Sequence, residues 1–272
     1  MKLLRQAFTI YIYGSVHVAV AVLSLVLMTN HMFGLPFSLP VALFAFCGTL
    51  CGYNFTKYES LYRLKKPKSP RIAVIMGLSL AALAVAGVAF FYLAAAAQII
   101  AIVFLGLTLL YTVPFFPEQT NLRNWSGIKI YIVALCWAGV TLLMPLLNAG
   151  VEPYPDVYLK FVQRFLLVII LILIFEIIDL DEDDPHLKTL PQVFGVTKTK
   201  IFNLALLLIF YILELFKTVT DKKQLVVNVL LVLAVALFTV YAHPKRPKMY
   251  TLFWVEAIPM FWLSCLYIAD RL

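Results

Sequence analysis

The chain has 272 residues, of which 63% are apolar and 13% are charged, and its mean hydropathy is +0.94. Soluble domains average about 45–50% apolar and about 25% charged residues, so a domain of this size in water could not bury so much apolar surface. The composition predicts an integral membrane protein, and it excludes a soluble enzyme with a single anchor, a secreted disulfide scaffold and a disordered tail.

The positive charge of the chain indicates its topology. There are 22 Lys and Arg against 14 Asp and Glu, a net charge of +8, and membrane proteins gather Lys and Arg on their cytoplasmic side. No stretch interleaves basic residues with exposed aromatic residues, so we expect no nucleic-acid partner. The cysteines lie in apolar runs without histidines at zinc-ligand spacing, which favours small buried hydrophobic side chains. They are Cys47, Cys51, Cys136 and Cys265.

In chain order, apolar runs separated by breakers predict about nine transmembrane helices of about 20 residues each. They cover residues 8–28, 39–55, 72–93, 96–115, 128–147, 161–180, 201–216, 225–241 and 252–268. The first run is too long for a signal peptide, so we expect it to stay in the mature protein. No Ser/Gly-rich linker or short repeat interrupts the pattern. The predicted fold class is an all-α integral membrane bundle, a single transmembrane helical domain over residues 1–272.

The distribution of basic residues predicts the orientation of this multi-pass protein. With the N-terminus inside, the inside segments hold 16 Lys and Arg and the outside segments hold 5. This bias places the N-terminus in the cytoplasm and the C-terminus outside.

Three polar side chains fall inside predicted spans. We expect Arg164 to reach the membrane interface or to bond helix-end carbonyls, and His17 to form a helix-to-helix hydrogen bond. For Glu256 two interpretations stay open, a place at the mouth of a cavity or a structural hydrogen bond.

The loop after the second span, YNFTKYESLYRLKKPKSPR, is strongly basic. Asn54, Lys57 and Arg63 in this loop are candidates for binding phosphate groups of a substrate, because Lys and Arg bind phosphate oxygens directly. The preference for positive charge on the cytoplasmic side also explains many of these bases, above all in residues 65–71, and a purely topological role is the alternative.

The loop after the sixth span is acidic. Six of the 14 acidic residues lie in FEIIDLDEDDPHLKTLP. If the helix continues through this segment, Glu176, Asp179 and Asp183 share one face. Three carboxylates on one face need a cation, and Mg²⁺ is the usual partner of such oxygen ligands. These three residues are therefore candidate metal ligands.

Helix parity places the basic and acidic loops on the same face of the bundle. A basic loop beside an acidic, metal-capable loop suits a polyanion such as diphosphate, because the metal and the bases bind its oxygens together. The alternative is a solvated acidic loop, which is what we expect of Asp181, Glu182 and Asp184.

These features resemble the UbiA-type intramembrane prenyltransferases over the whole chain, in the number of spans and the placement of loops. That family forms nine-helix bundles with Asp-rich motifs in the cytoplasmic loops after helices two and six. The second motif, D-x-x-D-x-x-x-D followed by K-T-L-P and a glycine, is matched by Glu176, Asp179, Asp183, residues 188–191 and Gly195. The segment YTVPFF followed by LRNWSGIKIYIVALCWAGVT is similar to the family's fourth loop and fifth helix.

The first motif departs from the family pattern N-D-x-x-D-x-x-x-D. Aligned on Asn54, its three aspartate positions hold Phe55, Tyr58 and Tyr62. In the family each motif helps hold Mg²⁺ against the substrate diphosphate, so the metal site is weakened here. We expect Lys57 and Arg63 to compensate by neutralising the diphosphate directly.

The resemblance implies that an isoprenoid chain is transferred from a polyprenyl diphosphate to a lipophilic, often aromatic, acceptor at the cytoplasmic face of the bilayer. Mg²⁺ is the implied cofactor, and Asp179 and Asp183 are the candidate catalytic residues. The candidate substrate-binding residues are Asn54, Lys57, Arg63, Lys129 and Lys188. Aromatic rings near the mouth either shield a carbocation or form an interfacial belt. They belong to Tyr53, Tyr111 and Tyr131.

Two other functions stay open. A non-catalytic descendant would bind an isoprenoid or a partner protein on the same scaffold, and the missing first-motif aspartates favour it. A transporter is a third alternative, although no pair of Gly/Pro-interrupted spans repeats in the chain. The acidic second motif and the KTLP segment favour the transferase.

Overall fold

The computed structural model describes residues 2–63, 69–114, 122, 125, 127–218 and 221–271, without the side chains of residues 2, 3, 60, 62 and 63. Within these ranges the chain forms helices and no β-strand. The α-helices are α1 Lys2–Tyr13, α2 Val16–Met32, α3 Leu39–Arg63, α4 Pro70–Phe91, α5 Ala95–Thr112, α6 Lys129–Ala138, α7 Met144–Asn148, α8 Pro155–Ile178, α9 Leu190–Phe194, α10 Val196–Glu214, α11 Lys222–Tyr241 and α12 Ile258–Arg271. A π-helical turn, Gly139–Leu143, joins α6 to α7, and a second, Tyr250–Val255, precedes α12.

Eight helical segments in the described ranges are long and apolar enough to cross a membrane. Two of them are composite: Lys129–Asn148 combines α6, a π turn and α7, and Tyr250–Arg271 combines the other π turn with α12. Helices α1 and α2 make a ninth span if they cross together, with a bend of 59° between them. The chain is a multi-pass integral membrane protein, and the predicted all-α fold of about nine spans is confirmed.

The bend between α1 and α2 falls at Gly14 and Ser15, and we call it the α1–α2 break. Ser15 has a left-handed backbone with φ +60°. A Cβ on Gly14 would lie 2.5 Å from the carbonyl oxygen of Ile10, so only glycine fits there. Within a bilayer, a broken helix is tolerated where other protein groups take up its freed backbone atoms.

Helix α8 runs through the centre of the bundle. In its most apolar window, 67% of the residues are buried, against 22% for the peripheral α5. Leu167, Ile170 and Ile174 of α8 are completely buried and belong to one apolar core with residues of α2, α10, α11 and α12. On α5, Ile99 and Ile102 are exposed and face the surroundings of the bundle. Side chains at the ends of α8 can therefore be reached from several helices.

In a bilayer the hydrophobic effect does not favour contact between helices, because lipid is as apolar as their side chains, so close packing between helices stabilises the bundle instead. At Gly139 in the first π turn, the ring of Phe104 fills the space that a Cβ would need. Between α3 and α4, the small side chains of Ala82 and Ala86 pack in one cluster with Cys47. Small residues thus set the distances between neighbouring helices.

Polar side chains also tie the two π turns to their neighbours. His17 Nε2 donates to the carbonyl oxygen of Phe253 at 2.8 Å, which confirms the expected helix-to-helix hydrogen bond. Arg164 is only 2% exposed and donates to the Leu25 carbonyl at 3.1 Å and to Thr141 Oγ1 at 3.0 Å. The expectation that Arg164 reaches the interface or a helix end is wrong, because its partners lie inside the bundle.

Candidate functional site

The acidic segment that follows α8 turns back on itself. The backbone N–H groups of Glu182 and Asp183 both donate to the carbonyl oxygen of Asp179, at 2.9 and 2.8 Å. The helix therefore ends before this turn, and Glu176, Asp179 and Asp183 do not share a continuous helical face. The turn still returns Asp183 to the side on which Glu176 lies, because one lysine contacts both carboxylates.

Lys129 is the lysine between these two carboxylates. It is the first residue of α6, and its Nζ lies 3.1 Å from Glu176 Oε1 and 3.7 Å from Asp183 Oδ2. The Glu176 side chain is only 4% exposed. Its other oxygen, Oε2, accepts a hydrogen bond from the backbone N–H of Leu190 at 3.3 Å. A buried carboxylate needs such partners, because burying an unpaired charge costs several kcal/mol.

Lys248, in the loop between α11 and the second π turn, bridges the other two carboxylates. Its Nζ lies 3.8 Å from Asp179 Oδ1 and donates a short hydrogen bond to Glu182 Oε2. We call Glu176, Asp179, Glu182 and Asp183, with the two lysines, the acidic cluster. Three separate parts of the chain meet in it: the end of α8, the start of α6 and the loop before the second π turn.

Two groups of the acidic cluster outside the membrane-spanning segments have shifted pKa values. The hydrogen bond to Glu182 raises the pKa of Lys248 above its usual range. Burial raises the pKa of Asp179, and the nearby Lys248 opposes this shift only in part. The ionised form of Asp179 is therefore less favourable here than in water.

The acidic cluster suits Mg²⁺ in the kind of its ligands and in its charge. All its acidic groups are carboxylates, and four carboxylates with two ammonium groups leave a net charge of −2. Mg²⁺ prefers such hard oxygen ligands. In this structure, however, Lys129 and Lys248 already form ion pairs with these carboxylates. Among the described residues no three His, Cys, Asp or Glu side chains gather as metal ligands.

Side chains near the end of α3 form hydrogen bonds to the α1–α2 break. The side chain of Asn54 is completely buried and donates to the Gly14 carbonyl at 2.9 Å and to Ser79 Oγ at 2.8 Å. Lys57 Nζ donates to Ser15 Oγ at 3.0 Å. Both side chains were predicted to bind substrate phosphate, but their hydrogen bonds in this structure hold the break.

Only some of the other candidate bases fall within the described part of the chain. The side chain of Arg63 and residues 65, 66 and 68 lie outside the described part of the chain. Lys188 has a left-handed backbone with φ +46° and an exposed side chain. Its ammonium group pairs with no carboxylate of the described residues. Of the predicted substrate-binding residues, Lys129 alone is seen within the acidic cluster in the described ranges.

Sequence reasoning missed Lys248 and Glu182 as members of the acidic cluster. Lys248 counted only as one of many cytoplasmic bases, and Glu182 was expected to be solvated. Glu182 is 64% exposed but still pairs with Lys248. No sequence spacing signals this contact, because the two residues are 66 positions apart.

Beside the α1–α2 break, the interior of the bundle carries aromatic and ionisable groups. Trp137 Nε1 donates to Tyr53 Oη at 2.7 Å. Glu256 is half-buried and interacts electrostatically with Lys57 and Tyr53. Its carboxylate accepts no hydrogen bond from another described residue, so the structural hydrogen bond that was one of the two interpretations is not seen among them. Tyr131 is 51% exposed and stacks on Phe165, as expected for an interfacial belt.

Solved structures of known proteins align with nearly the whole chain. A digeranylgeranylglyceryl phosphate synthase is 17% identical, with 100% of each chain covered and a TM-score of 0.61. A UbiA homolog from Archaeoglobus fulgidus bound to GPP and Mg²⁺ is 13% identical, with 97% of this chain and 99% of that chain covered and a TM-score of 0.65. The chain has the UbiA fold.

A third structure gives the same result. The apo UbiA homolog from Aeropyrum pernix K1 is 17% identical, with 96% of this chain and 98% of that chain covered and a TM-score of 0.63. No family model and no curated protein sequence matches the chain. The fold that the second motif and the span count suggested is therefore found by comparison of structures rather than of sequences.

Proposed function

We propose that the chain is a UbiA-type prenyltransferase, which transfers an isoprenoid chain from a polyprenyl diphosphate to a lipophilic acceptor. The observation that carries this proposal is the acidic cluster at the end of α8 in a chain with the UbiA fold. The membrane face is the cytoplasmic one if the bias in basic residues sets the orientation, with the N-terminus inside and the C-terminus outside.

The two lysines of the acidic cluster are the groups that we assign to the substrate diphosphate. Each ammonium group has three N–H donors, and each already lies between two carboxylates of the acidic cluster. When a diphosphate arrives, Lys129 and Lys248 can turn towards its oxygens and keep part of their contact with the carboxylates. Lys188, Lys57 and Arg63 stay predicted as further bases on this face.

The net charge of the acidic cluster explains why Lys129 and Lys248 alone are insufficient to bind a diphosphate. A diphosphate would meet a site with net charge −2, so binding needs additional positive charge. Glu176, Asp179 and Asp183 would be the ligands of Mg²⁺, and the bound ion would supply positive charge that stabilises the departing diphosphate. The exposure of Asp179 supports this role, since 35% of that side chain is accessible to an incoming ion.

The transfer breaks the bond between the first isoprenoid carbon and the diphosphate oxygen, and forms a bond from that carbon to the acceptor. The acceptor then loses one proton. We assign Glu256 as the group that takes it, because its carboxylate is half-buried and unbonded among the described residues, close to Lys57 and Tyr53. The rings of Tyr53 and Trp137 offer faces that stabilise a cation.

A second candidate function is a non-catalytic protein that binds an isoprenoid. Tyr58 favours it, because it occupies a position where the family has a metal-binding aspartate, and its hydroxyl donates to the Tyr13 carbonyl at 3.0 Å. That side chain supports the fold of the α1–α2 break and offers no carboxylate to a metal.

Binding of geranyl diphosphate to the purified protein, with Mg²⁺ and with EDTA, tests the proposal. We expect binding with Mg²⁺ and at least tenfold weaker binding with EDTA. Asp179→Ala should lose about tenfold or more, because a charge-assisted contact contributes about 1.5–3 kcal/mol. Asp181→Ala is the matched control, because Asp181 is exposed in the same loop and outside the acidic cluster.

The outcomes separate the candidates. No binding in either condition would defeat both the transferase and the isoprenoid-binding alternative. Binding that is unchanged by EDTA and by Asp179→Ala would place the diphosphate away from the acidic cluster. Binding without product from any lipophilic acceptor in a broad panel would favour the non-catalytic protein.

A further inference from the structure

A cavity of about 600 Å³ opens beside the acidic cluster, between α1, the first turn of α4 and the loop before the second π turn. Its walls include Arg5, Phe8, Thr9, Tyr13, Arg71 and Met249. Met249 follows Lys248 directly, so the cavity and the acidic cluster share one loop. Ligand pockets commonly measure about 300–1,000 Å³, and this cavity is large enough for a lipid headgroup and the first part of its tail.

The polar part of the cavity carries two positive charges, and none of the described residues that line it is acidic. These charges belong to Arg5 and Arg71. In the described part of the chain, neither guanidinium has an ion pair or a hydrogen bond to another residue. Arg71 also lies in the first turn of the 22-residue α4, where the helix dipole adds positive potential. A guanidinium fork matches the oxygens of a phosphate group, which makes phosphate the fitting anion.

Part of the remaining wall is apolar, beside the polar side chains of Gln6, Thr9 and Tyr13. Phe8 and Met249 face the cavity. Leu4, one residue before Arg5, is 76% exposed, and Phe8 is 45% exposed. Helix α1 thus carries basic and apolar side chains together and bends away from α2, as expected for a helix that lies at the membrane interface. An anion without an apolar tail would leave these walls uncovered.

We propose that this cavity binds the phosphate headgroup of an amphiphile, with the phosphate on Arg5 and Arg71 and the start of the tail against Phe8 and Met249. The amphiphile is a membrane phospholipid or a phosphorylated lipophilic substrate, since both present the same chemistry. The site does not depend on the proposed isoprenoid transfer, because no member of the acidic cluster lines it.

General attraction between basic side chains and anionic lipid is the competing explanation, at about 1 kcal/mol per Lys or Arg. A matched control removes one charge elsewhere. Lys198, near the start of α10, is exposed, lines no part of this cavity and has no ion pair within the described ranges. If the cavity is a specific phosphate site, replacing Arg5 or Arg71 should weaken lipid binding strongly, and replacing Lys198 should weaken it little.

Native mass spectrometry of the full chain in detergent, with added phosphatidic acid, measures the number and affinity of bound lipids. We expect one tightly bound phosphatidic acid, with binding weakened about tenfold in Arg5→Gln and in Arg71→Gln and unchanged in Lys198→Gln. The affinity of Arg71→Lys should lie between those of the wild type and Arg71→Gln, because lysine keeps the positive charge but cannot donate two parallel hydrogen bonds to one phosphate. Asp179→Ala should bind phosphatidic acid as the wild type does, even if isoprenoid transfer proves wrong.

Competition experiments identify which chemical group the cavity binds and which kind of molecule carries it. Phosphatidylcholine should fail to displace phosphatidic acid, and inorganic phosphate should displace it only at much higher concentration. If geranyl phosphate displaces it as well as phosphatidic acid does, a phosphorylated substrate is the natural occupant; if it does not, a membrane phospholipid is. Equal weakening in Arg71→Gln and Lys198→Gln, or none in either arginine variant, would overturn the proposal.

Discussion

Replacing Lys129 by Met tests the acidic cluster through stability, without any substrate. The change removes the cation 3.1 Å from Glu176, whose side chain is 4% exposed. Removing one partner of a buried ion pair costs about 3–5 kcal/mol. Lys129 itself is 19% exposed, and Glu176 keeps its hydrogen bond from Leu190. We therefore expect a loss of about 2–3 kcal/mol, at the lower end of that range or below it.

Thermal unfolding in detergent, followed with a thiol-reactive dye at the four free cysteines, measures this loss. A loss of about 2–3 kcal/mol corresponds to roughly 5–10 °C in a chain of this size. Lys248→Met is the matched control, since Lys248 is 49% exposed and exposed pairs contribute about 0–1 kcal/mol. Adding Glu176→Gln to Lys129→Met should restore part of the loss. Equal shifts for the two lysine variants would refute the assignment of Glu176 as a buried partner of Lys129.

Three further variants probe other parts of the structure. Asp179→Asn should not lower the unfolding temperature at neutral pH. Because the pKa of Asp179 is raised in the folded state, its carboxyl group stabilises the fold when protonated, and this contribution is lost as pH rises. Any gain in stability of Asp179→Asn over wild type should therefore shrink as pH falls towards about 3.9, the pKa of an unfolded aspartate. A clear loss at neutral pH would contradict this sign. Asn54→Leu should cost about 2 kcal/mol or more, because the Gly14 carbonyl loses its buried donor, and protease sensitivity near the α1–α2 break should rise. Gly139→Ala should lower the unfolding temperature, because its Cβ overlaps the Phe104 ring, and Phe104→Leu should restore part of it. Additive effects of this last pair would count against the contact.

The fold was predictable because a bilayer imposes a simple rule on the sequence. Each span must be apolar over about 20 residues and must satisfy its own backbone, so counting runs between breakers gave nearly the observed set. The bend at Gly14 and Ser15 was not predicted, because a single glycine in an apolar run is common in membrane helices. Its stability depends on Asn54 and Lys57, which lie 40 and 42 residues away from their partners.

Only the acidic half of the site was visible in the sequence. Glu176, Asp179 and Asp183 stood out by composition and by their resemblance to a family motif. Their cations did not, since Lys129 and Lys248 look like the other bases of the same face. Which of many similar lysines reaches a carboxylate depends on the packing of α6 and the second π turn against α8, and no local pattern records that packing.

The most direct test is a cryo-EM or crystal structure of the protein with a non-hydrolysable geranyl diphosphate analogue and Mg²⁺. We expect the diphosphate at the acidic cluster, with Lys129 and Lys248 turned to its oxygens and Asp179 facing the metal. An analogue bound elsewhere, with both lysines still on their carboxylates, would contradict this expectation.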